Sequence, residues 1–361
     1  MAVFDHPEFD QHESVHYFHD ADSGLRAVVA IHSTALGPAG GGCRRWQYAS
    51  DADALTDALR LSRGMTYKNA VARLPFGGGK AVMLADAAAP KSAELLAAFG
   101  RAVASLNGRY ITAEDVGISV DDMRHVQRET SFVCGLPSTG DSAGGDPSPW
   151  TALGVFLGIR AAAEIRLGRD SLDGLKVAVQ GVGNVGQHLC HLLHEAGAVL
   201  FVADVNRDNL QQARDGLLVN EVSPDDLLYS DVDVLAPCAL GGILTSETIP
   251  RIRAKVIAGA ANNQLGTDAD GQRLAERQIL YAPDYVVNAG GIINVAHEYF
   301  ALGGEENVRT EIGRIPQRLK AIFAEAEATA RPTNVIADDM ARRIVAAGRP
   351  DPELALARQI A

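Results

Sequence analysis

The pattern of hydrophobic and polar positions changes near the middle of the chain. Before residue 134, short alternating segments mix with amphipathic helical segments. Residues 15–19 and 25–31 alternate around the turn Asp22-Ser23-Gly24, which indicates a β-hairpin. The pattern further predicts helices over 51–64 and 93–106, and strands over 81–84 and 110–115. Gly64 is expected to end the first helix, so that Lys68 and Lys80 follow in less regular backbone.

From Leu175 onward, buried strands alternate with helices. A strand is predicted over 175–180, a helix over 187–195, and a strand over 199–203 that ends at Asp204. Further short strands are predicted over 232–236, 256–258 and 279–282. This alternation is typical of a doubly wound parallel sheet, in which ligands bind outside the carboxyl ends of the strands.

The sequence Gly181-Val-Gly-Asn-Val-Gly186 lies between the first of these strands and its helix. A GxGxxG motif in that context, followed by an acid about twenty residues later, predicts a dinucleotide site. Asp204 would bind the adenosine ribose and repel a 2′-phosphate, which favours NAD over NADP. Asn262 and Asn288 follow later strands and should line the same edge. The predicted cofactor-binding residues are Gln180, Gly181, Val182, Gly183, Asn184, Val185, Gly186, Asp204, Cys238, Ala239, Asn262 and Asn288.

Composition limits the possible classes of protein. A length of 361 residues favours two domains, and 47% hydrophobic with 22% charged residues is typical of a soluble globular protein. The net charge of −12 argues against nucleic acid and anionic membranes as partners. The N-terminus lacks a signal pattern, so we expect a cytoplasmic protein. Four widely spaced cysteines indicate reduced thiols rather than a disulfide framework or a metal site.

A segment rich in proline, glycine and serine, 134–149, indicates a hinge or domain boundary. The two domains are predicted as 1–140 together with 330–361, for substrate binding and catalysis, and 141–329, for NAD binding. We therefore expect an α/β protein whose substrate-binding and oligomerisation domain is separated by a cleft from a Rossmann dinucleotide-binding domain.

Lys80 follows three glycines, Gly77 to Gly79. A lysine forced into a pocket with little water has a lowered pKa and can exchange protons near neutral pH. Taken alone, GGGK favours a surface turn with a solvated lysine, and the cofactor motif reverses that balance. For Asp115, at the end of its strand, a helix cap and a functional carboxylate remain equally open.

Long motifs along most of the chain resemble the Glu/Leu/Phe/Val dehydrogenase family, and within it the leucine dehydrogenases most closely. They are GPAGGGCR at 37–44, RGMTYKNA at 63–70, LPFGGGK at 74–80, GRYITAEDVG at 108–117, GDPSP at 145–149, VAVQGVGNVG at 177–186, APCALGG at 236–242, VIAGAANNQL at 256–265 and YAPDYVVNAGGIINV at 281–295. The resemblance implies NAD-dependent, reversible oxidative deamination of an L-amino acid to a 2-oxo acid and ammonia. It also implies a homo-oligomer, often an octamer.

The resemblance further implies roles for individual residues. Lys80 and Asp115 would be catalytic, Lys68 would hold the substrate carboxylate with help from the backbone of Gly41 and Gly42, and Asn262 would orient the substrate. The implied side-chain pocket is lined by Gly40, Ala113, Ile292 and Val295.

Three functions stay open at this point. The first is a dehydrogenase for leucine and other branched-chain amino acids. The second is the same reaction on phenylalanine or another bulky substrate, because Gly40 should open extra room in the pocket. The third is a catalytically silent NAD-binding protein, against which the intact Lys68, Lys80 and Asp115 argue.

Overall fold

The computed structural model describes residues 3–86, 91–137 and 142–348, and these fold as two units. The first unit comprises the described residues of Met1–Asp146, Asn294–Asn307 and Ala341–Ala361. The second unit comprises Pro147–Ile293 and Val308–Met340. Each unit is described separately below.

Strands and helices mix irregularly in the first unit. Its elements up to Asp146 are β1 (Ser14–Asp20), β2 (Leu25–Ser33), β3 (Ala39–Gly40), β4 (Cys43–Trp46), α1 (Asp51–Val71), β5 (Gly77–Leu84), α2 (Ala93–Ala104), β6 (Tyr110–Ile111) and α3 (Val120–Gln127). The predicted hairpin is confirmed as β1 and β2, which pair antiparallel.

A mixed sheet forms the middle layer of the first unit, in the order β1-β2-β5-β3-β6, with β4 also paired to β5. Alternate residues of β2 enter different cores, because successive side chains of a strand point to opposite faces. Leu25, Ala27, Val29 and Ile31 pack with the apolar side chains of α2 and α3. Val28 and Ala30 pack with those of α1. The central strand β5 is therefore covered on both faces.

Two expectations for the stretch from Gly64 to Lys80 are wrong. Helix α1 continues through Gly64 to Val71, so Lys68 lies on its last turn. The residues after Gly64 extend the helix because they pack on the sheet, where the Asn69 amide donates to the carbonyl of Gly77 at 2.6 Å. The three glycines form the start of strand β5, which places Lys80 in regular strand backbone.

The glycine run is a strand because its neighbours approach too closely for side chains. A Cβ at Gly77 would lie 2.0 Å from the carbonyl oxygen of Ser33, and a Cβ at Gly78 would lie 2.1 Å from the backbone nitrogen of Thr66. At Gly79 it would lie 2.8 Å from the ring of Tyr110. Glycine in a strand interior marks such close approach.

The second unit alternates strand and helix. Its elements are α4 (Ser148–Leu167), β7 (Lys176–Gln180), α5 (Asn184–Glu195), β8 (Val199–Ala203), α6 (Arg207–Gly216), β9 (Val219–Glu221), α7 (Pro224–Leu227), β10 (Val234–Pro237), β11 (Val256–Ile257), α8 (Asp268–Glu276), β12 (Leu280–Tyr281), α9 (Asp284–Val287) and α12 (Ile315–Thr329). Three helices, α10 (Gly290–Phe300), α11 (Glu305–Ile312) and α13 (Thr333–Ala347), contribute residues to both units.

The sheet of the second unit is parallel throughout, in the order β12-β11-β10-β7-β8-β9. Counted along the chain, that is the strand order 3-2-1-4-5-6 of a Rossmann sheet, with the order reversing between β7 and β10. The predicted fold class, an α/β chain with a Rossmann domain, is confirmed. In the described part of the chain, no helix has the length and apolar character to cross a membrane.

The bounds of the units differ from those of the predicted domains. Residues 294–307 belong to the first unit, where Asn294 exchanges two hydrogen bonds with the backbone of Gly144 at 3.1 and 3.0 Å. Glu298 accepts from the backbone N–H groups of Gly135 and Leu136 at 2.9 and 3.0 Å. Residues 330–340 belong to the second unit, which continues to Met340. Residues 138–141 of the predicted hinge lie outside the described residues, and the functional assignment of each domain stays a prediction.

Two glycines of this region should respond oppositely to alanine. Gly64→Ala should stabilise the protein by about 0.5–1 kcal/mol, because Gly64 lies within α1 and a Cβ there meets nothing within 4 Å. Gly78→Ala should destabilise it by about 1–3 kcal/mol, because its Cβ would collide with α1 backbone. Urea unfolding of both variants tests this. Equal free energies of unfolding would contradict the packing described for β5.

Candidate active site

Lys80 and Asp115 form an ion pair in the first unit. Strand β5 carries Lys80 into the protein, where only 5% of the residue is exposed. Asp115 follows β6, and its Oδ2 contacts the ammonium of Lys80. Its Oδ1 accepts from the backbone N–H of Val116 at 2.6 Å, which fixes the carboxylate plane. The two predicted catalytic residues are therefore brought together.

The surroundings of Lys80 favour its neutral form. Burial lowers the pKa of Lys80 to about 7, and the guanidinium of Arg44 acts in the same direction. The carboxylate of Asp57 opposes this shift, and the ammonium of Lys68 adds to it. The ion pair with Asp115 also favours the charged form. A lysine so placed changes protonation near neutral pH, as general acid–base chemistry requires.

Arg44 is a charged residue of this site that the sequence reasoning missed. It lies on β4, its Nη1 donates to Asp57 at 3.0 Å, and its Nη2 lies 4.0 Å from Asp115. The signal for Arg44 was its place at the end of the GPAGGGCR motif, just after the glycine loop.

The glycines after β3 permit close packing around the pair. A Cβ at Gly41 would lie 1.9 Å from the carbonyl oxygen of Gly79, and one at Gly42 would lie 2.4 Å from that of Glu114. The backbone N–H of Gly41 donates to Ile111 at 3.1 Å. Gly41 therefore shapes the site by lacking a side chain, while its own N–H is used within the unit.

Glu114, next to Asp115 in the sequence, is a carboxyl group with a shifted pKa. Burial raises the pKa of Glu114 to about 7, and the charges of Asp146 and Glu298 add to that shift. Burial also raises the pKa of Glu298. The sequence pattern predicts Glu114 only as part of a strand over 110–115. That strand is shorter than predicted, since β6 ends at Ile111 and the residues beyond it form only isolated bridges.

The expectation that Gly40 opens extra room is wrong. A Cβ at Gly40 would lie 2.8 Å from the ring of Phe76, which is fully buried. Phe76 itself packs against Phe300 and Tyr299, with ring centroids 4.7 and 5.8 Å apart. The space beside Gly40 is thus already filled by an aromatic ring. The predicted pocket residues Ala113 and Val295 are each buried to 7% exposure in the same unit. Ile292 is half-buried in the second unit.

The glycine loop of the second unit connects β7 to α5, as the sequence predicts. Gly181 has a φ of 89°, and a Cβ there would lie 2.6 Å from that of Ala239. A Cβ at Gly186 would lie 2.1 Å from the carbonyl oxygen of Gly181. At Gly183, by contrast, the nearest atom is 3.9 Å away, on Asn209. The first and third glycines serve packing, and the second leaves open space at the start of α5.

Gly183 is the residue before α5, and no side chain caps this helix. The backbone N–H groups of Asn184, Val185 and Gly186 lie in its first turn, where an anion is favoured. The loop therefore has the form of a phosphate-binding turn.

Asp204 is fixed beside this loop by three hydrogen bonds. Its Oδ2 accepts from the backbone N–H of Val182 at 2.9 Å and from the side chain of Asn209 at 3.2 Å. Its Oδ1 accepts from the N–H of Asn206 at 2.7 Å. The carboxylate thus braces the glycine loop in addition to its predicted role towards ribose.

Asn262 and Asn288 also meet in the second unit. The side-chain amide of Asn288 donates to Oδ1 of Asn262 at 2.8 Å and to the carbonyl of Ala260 at 2.9 Å. Within the described residues, the buried oxygens Asn288 Oδ1 and Gln180 Oε1 have no hydrogen-bond partner. Cys238, just after β10, donates its backbone N–H to Gln180 at 2.7 Å. These acceptors lie where the cofactor residues were predicted.

The four cysteines are free thiols, and Cys43, Cys134 and Cys190 are buried. Within the parts of the chain that the structure describes, no three His, Cys, Asp or Glu side chains are arranged to hold a metal ion.

Comparisons with known proteins match nearly the whole chain. Residues 12–132 match the family model described as Glu/Leu/Phe/Val dehydrogenase, dimerisation domain, and residues 145–207 and 206–341 match that of Glutamate/Leucine/Phenylalanine/Valine dehydrogenase. Leucine dehydrogenase of Geobacillus stearothermophilus is 49% identical over 94% of this chain and 92% of its own. Phenylalanine dehydrogenase of Bacillus thermotolerans is 42% identical over 95% and 91%. The crystal structure of L-tryptophan dehydrogenase from Nostoc punctiforme is 46% identical, with a TM-score of 0.79 over 93% of this chain and 96% of that chain. The resemblance inferred from the motifs is confirmed.

Gly40 and Phe76 should behave as a coupled pair. Gly40→Ala should lower the free energy of unfolding by about 1–3 kcal/mol, since its Cβ overlaps the ring of Phe76. Phe76→Leu should also destabilise, by leaving a cavity. The double variant should lose clearly less than the sum of the two single losses. Denaturant unfolding of all four proteins measures this cycle, and additive losses would show that the two residues do not compete for one space.

Proposed function

Because the chain belongs to the Glu/Leu/Phe/Val dehydrogenase family of amino acid dehydrogenases, we propose that it catalyses the NAD-dependent, reversible oxidative deamination of an L-amino acid. The products are the 2-oxo acid and ammonia. The observation that carries this proposal is the buried pair of Lys80 and Asp115, in which the lysine has a pKa of about 7. A catalytically silent relative would have no need of this costly arrangement.

Two residues of the first unit handle protons in the proposed reaction. Asp115 takes a proton from the substrate ammonium, which leaves a neutral amine whose lone pair can assist loss of hydride from the α-carbon. Neutral Lys80 then takes a proton from a water molecule as that water adds to the imino carbon. Asp115 returns its proton to the nitrogen. As the C–N bond breaks and the carbonyl forms, the departing ammonia takes the hydroxyl proton and leaves as ammonium, and Lys80 then releases its own proton to solvent. Lys68, half-buried on the last turn of α1, supplies a fixed cation for the substrate carboxylate.

The residues of the second unit fit a nicotinamide dinucleotide, which supplies the hydride acceptor when bound. The open side of Gly183 and the uncapped N-terminus of α5 suit the pyrophosphate. Asp204 suits the ribose hydroxyls and disfavours a 2′-phosphate, so NAD is proposed over NADP. The unpartnered oxygens of Gln180 and Asn288 are acceptors suited to a carboxamide. Asn262 is held beside them by Asn288.

Leucine and other branched-chain amino acids are the proposed substrates. Phe76 occupies the space that Gly40 leaves, so an aliphatic side chain is favoured over a bulky one. A bulky aromatic substrate is the second candidate, because relatives named L-tryptophan dehydrogenase and phenylalanine dehydrogenase are 48% and 42% identical to this chain. We further propose a cytoplasmic homo-oligomer, in keeping with the family's dimerisation domain.

NADH formation with leucine, valine, phenylalanine and tryptophan tests the function and ranks the substrates. We expect the highest kcat/KM with leucine or valine, and far lower rates with NADP than with NAD. Lys80→Ala should lower turnover by about 10²–10⁴-fold while NAD still binds, because the lysine acts in proton transfer. Lys320→Ala, which removes an exposed lysine paired with Glu164, is the matched control and should keep full activity. Activity with none of the twenty amino acids would overturn the proposal.

The rate should depend on pH through Lys80. Deamination needs Lys80 in its neutral form, because the lysine acts as the base. The value of kcat/KM for deamination should therefore fall about tenfold per pH unit below pH 7 and level off above it. The reverse amination needs the protonated lysine, so its rate should instead fall as the pH rises above 7. Initial rates of both directions, measured between pH 5.5 and 9.5, test this pH dependence, because that range extends to both sides of about 7. A flat profile for deamination would contradict the role of Lys80 as the base.

A further inference from the structure

Arg44 is placed beside the Lys80–Asp115 pair by the pairing of two strands. Strand β4 runs parallel to β5, with Cys43 opposite Ala81 and Arg44 opposite Val82. This register brings the side chain of Arg44 level with the buried pair. Only 21% of that side chain is exposed, so its charge acts through little water.

The guanidinium of Arg44 binds a carboxylate on α1 and also faces the Lys80–Asp115 pair. Its Nη1 donates to Oδ2 of Asp57, on α1, at 3.0 Å. The same oxygen accepts from the hydroxyl of Tyr48. Its Nη2 lies 4.0 Å from Oδ1 of Asp115. One planar group therefore connects a fixed carboxylate on α1 to the carboxylate that contacts Lys80.

The fork geometry of Arg44 directs its two terminal nitrogens towards two different carboxylates. Its Nε is buried and has no hydrogen-bond partner among the described residues. Leaving that donor without a partner costs free energy, and the interactions of the two terminal nitrogens with carboxylates offset this cost. A lysine at this position could supply the charge but could not contact Asp57 and Asp115 through two rigidly linked nitrogens.

We propose that Arg44 is a positioning residue, held by Asp57 and Tyr48, whose guanidinium orients the Asp115 carboxylate towards Lys80 and places a positive charge beside that lysine. This inference rests on the proposed amino acid dehydrogenase function and adds a group that does not itself touch the substrate. Oδ1 of Asp115 is directed to Arg44 and to the N–H of Val116, which leaves Oδ2 to contact the ammonium of Lys80.

Charges on several packed elements act on Lys80. Arg44 from β4 and Lys68 from α1 oppose its protonation, whereas Asp57 from α1 and Asp115 after β6 favour it. Cys43 on β4 also raises the pKa of Lys80. The hydroxyl of Tyr110 donates to the carbonyl of Gly41. Because Arg44 and Asp57 act with opposite signs, removing each charge predicts opposite effects.

The test compares the acid limb of kcat/KM for leucine deamination in single-charge variants. Arg44→Gln should move the limb to higher pH by about one unit or more, since a nearby cation is lost. Asp57→Asn should move it to lower pH, since a nearby anion is lost. Arg44→Lys should leave the limb in place but lower kcat at least about tenfold, because the fork that orients Asp115 is lost.

Arg45→Gln is the matched control, because it removes an arginine charge from the next position of β4, whose side chain alternates to the other face. Its acid limb should stay at the wild-type pH. Thermal unfolding and NAD affinity should be close to wild type in every variant, and where Arg44→Gln does not fold, Asp57→Asn alone decides. An unmoved limb in Arg44→Gln or Asp57→Asn, or movement of both limbs in the same direction, would overturn the role of Arg44. An inactive wild-type protein would instead overturn the proposed function.

Discussion

The close approach of helix α1 and strand β6 to the glycine run of β5 is the constraint on which the first unit depends. Without a side chain at Gly78, the backbone of α1 can lie directly on the strand. That contact places Lys68, on α1, near Lys80, on β5. On the other side, Tyr110 of β6 packs over Gly79 and donates its hydroxyl to the carbonyl of Gly41 at 2.6 Å. The charged groups converge because these backbones do.

Burying a lysine in this way lowers stability, and the surroundings show what is gained. A fully solvated lysine would be charged at neutral pH and could not act as a base. Burial together with Arg44 lowers the pKa of Lys80 to about 7, and the contact with Asp115 keeps the charged form accessible. The two influences nearly balance, so that a proton can be gained or lost with little change in free energy. The proposed reversible reaction needs such a balance, because the same group would act as a base in one direction and as an acid in the other.

The sequence predicted the second unit better than the first, for physical reasons. Most strands of that unit are followed within a few residues by a helix, so local periodicity and the spacing from Gly181 to Asp204 carry most of the information. In the first unit, Gly64 has a poor helix propensity, yet α1 continues because later residues such as Asn69 pack on β5. Likewise, the space beside Gly40 is filled by Phe76, which is distant in sequence. Local patterns cannot show which distant residue occupies a space, and the position of Arg44 beside Asp115 likewise depends on the pairing of β4 with β5.

The glycines of the two units show why a glycine run alone does not define a site. At Gly78 and Gly41 a Cβ would collide with backbone atoms, so these glycines allow neighbouring backbone segments to pack in direct contact. At Gly183 a Cβ would meet nothing nearer than 3.9 Å, although its neighbours Gly181 and Gly186 are tightly packed. The open space at Gly183 therefore does not serve packing within the protein, and it leaves a surface to which another molecule has access. By that criterion, GGGK is a packing motif that brings a lysine into the protein, whereas GVGNVG has the open form that suits the proposed dinucleotide.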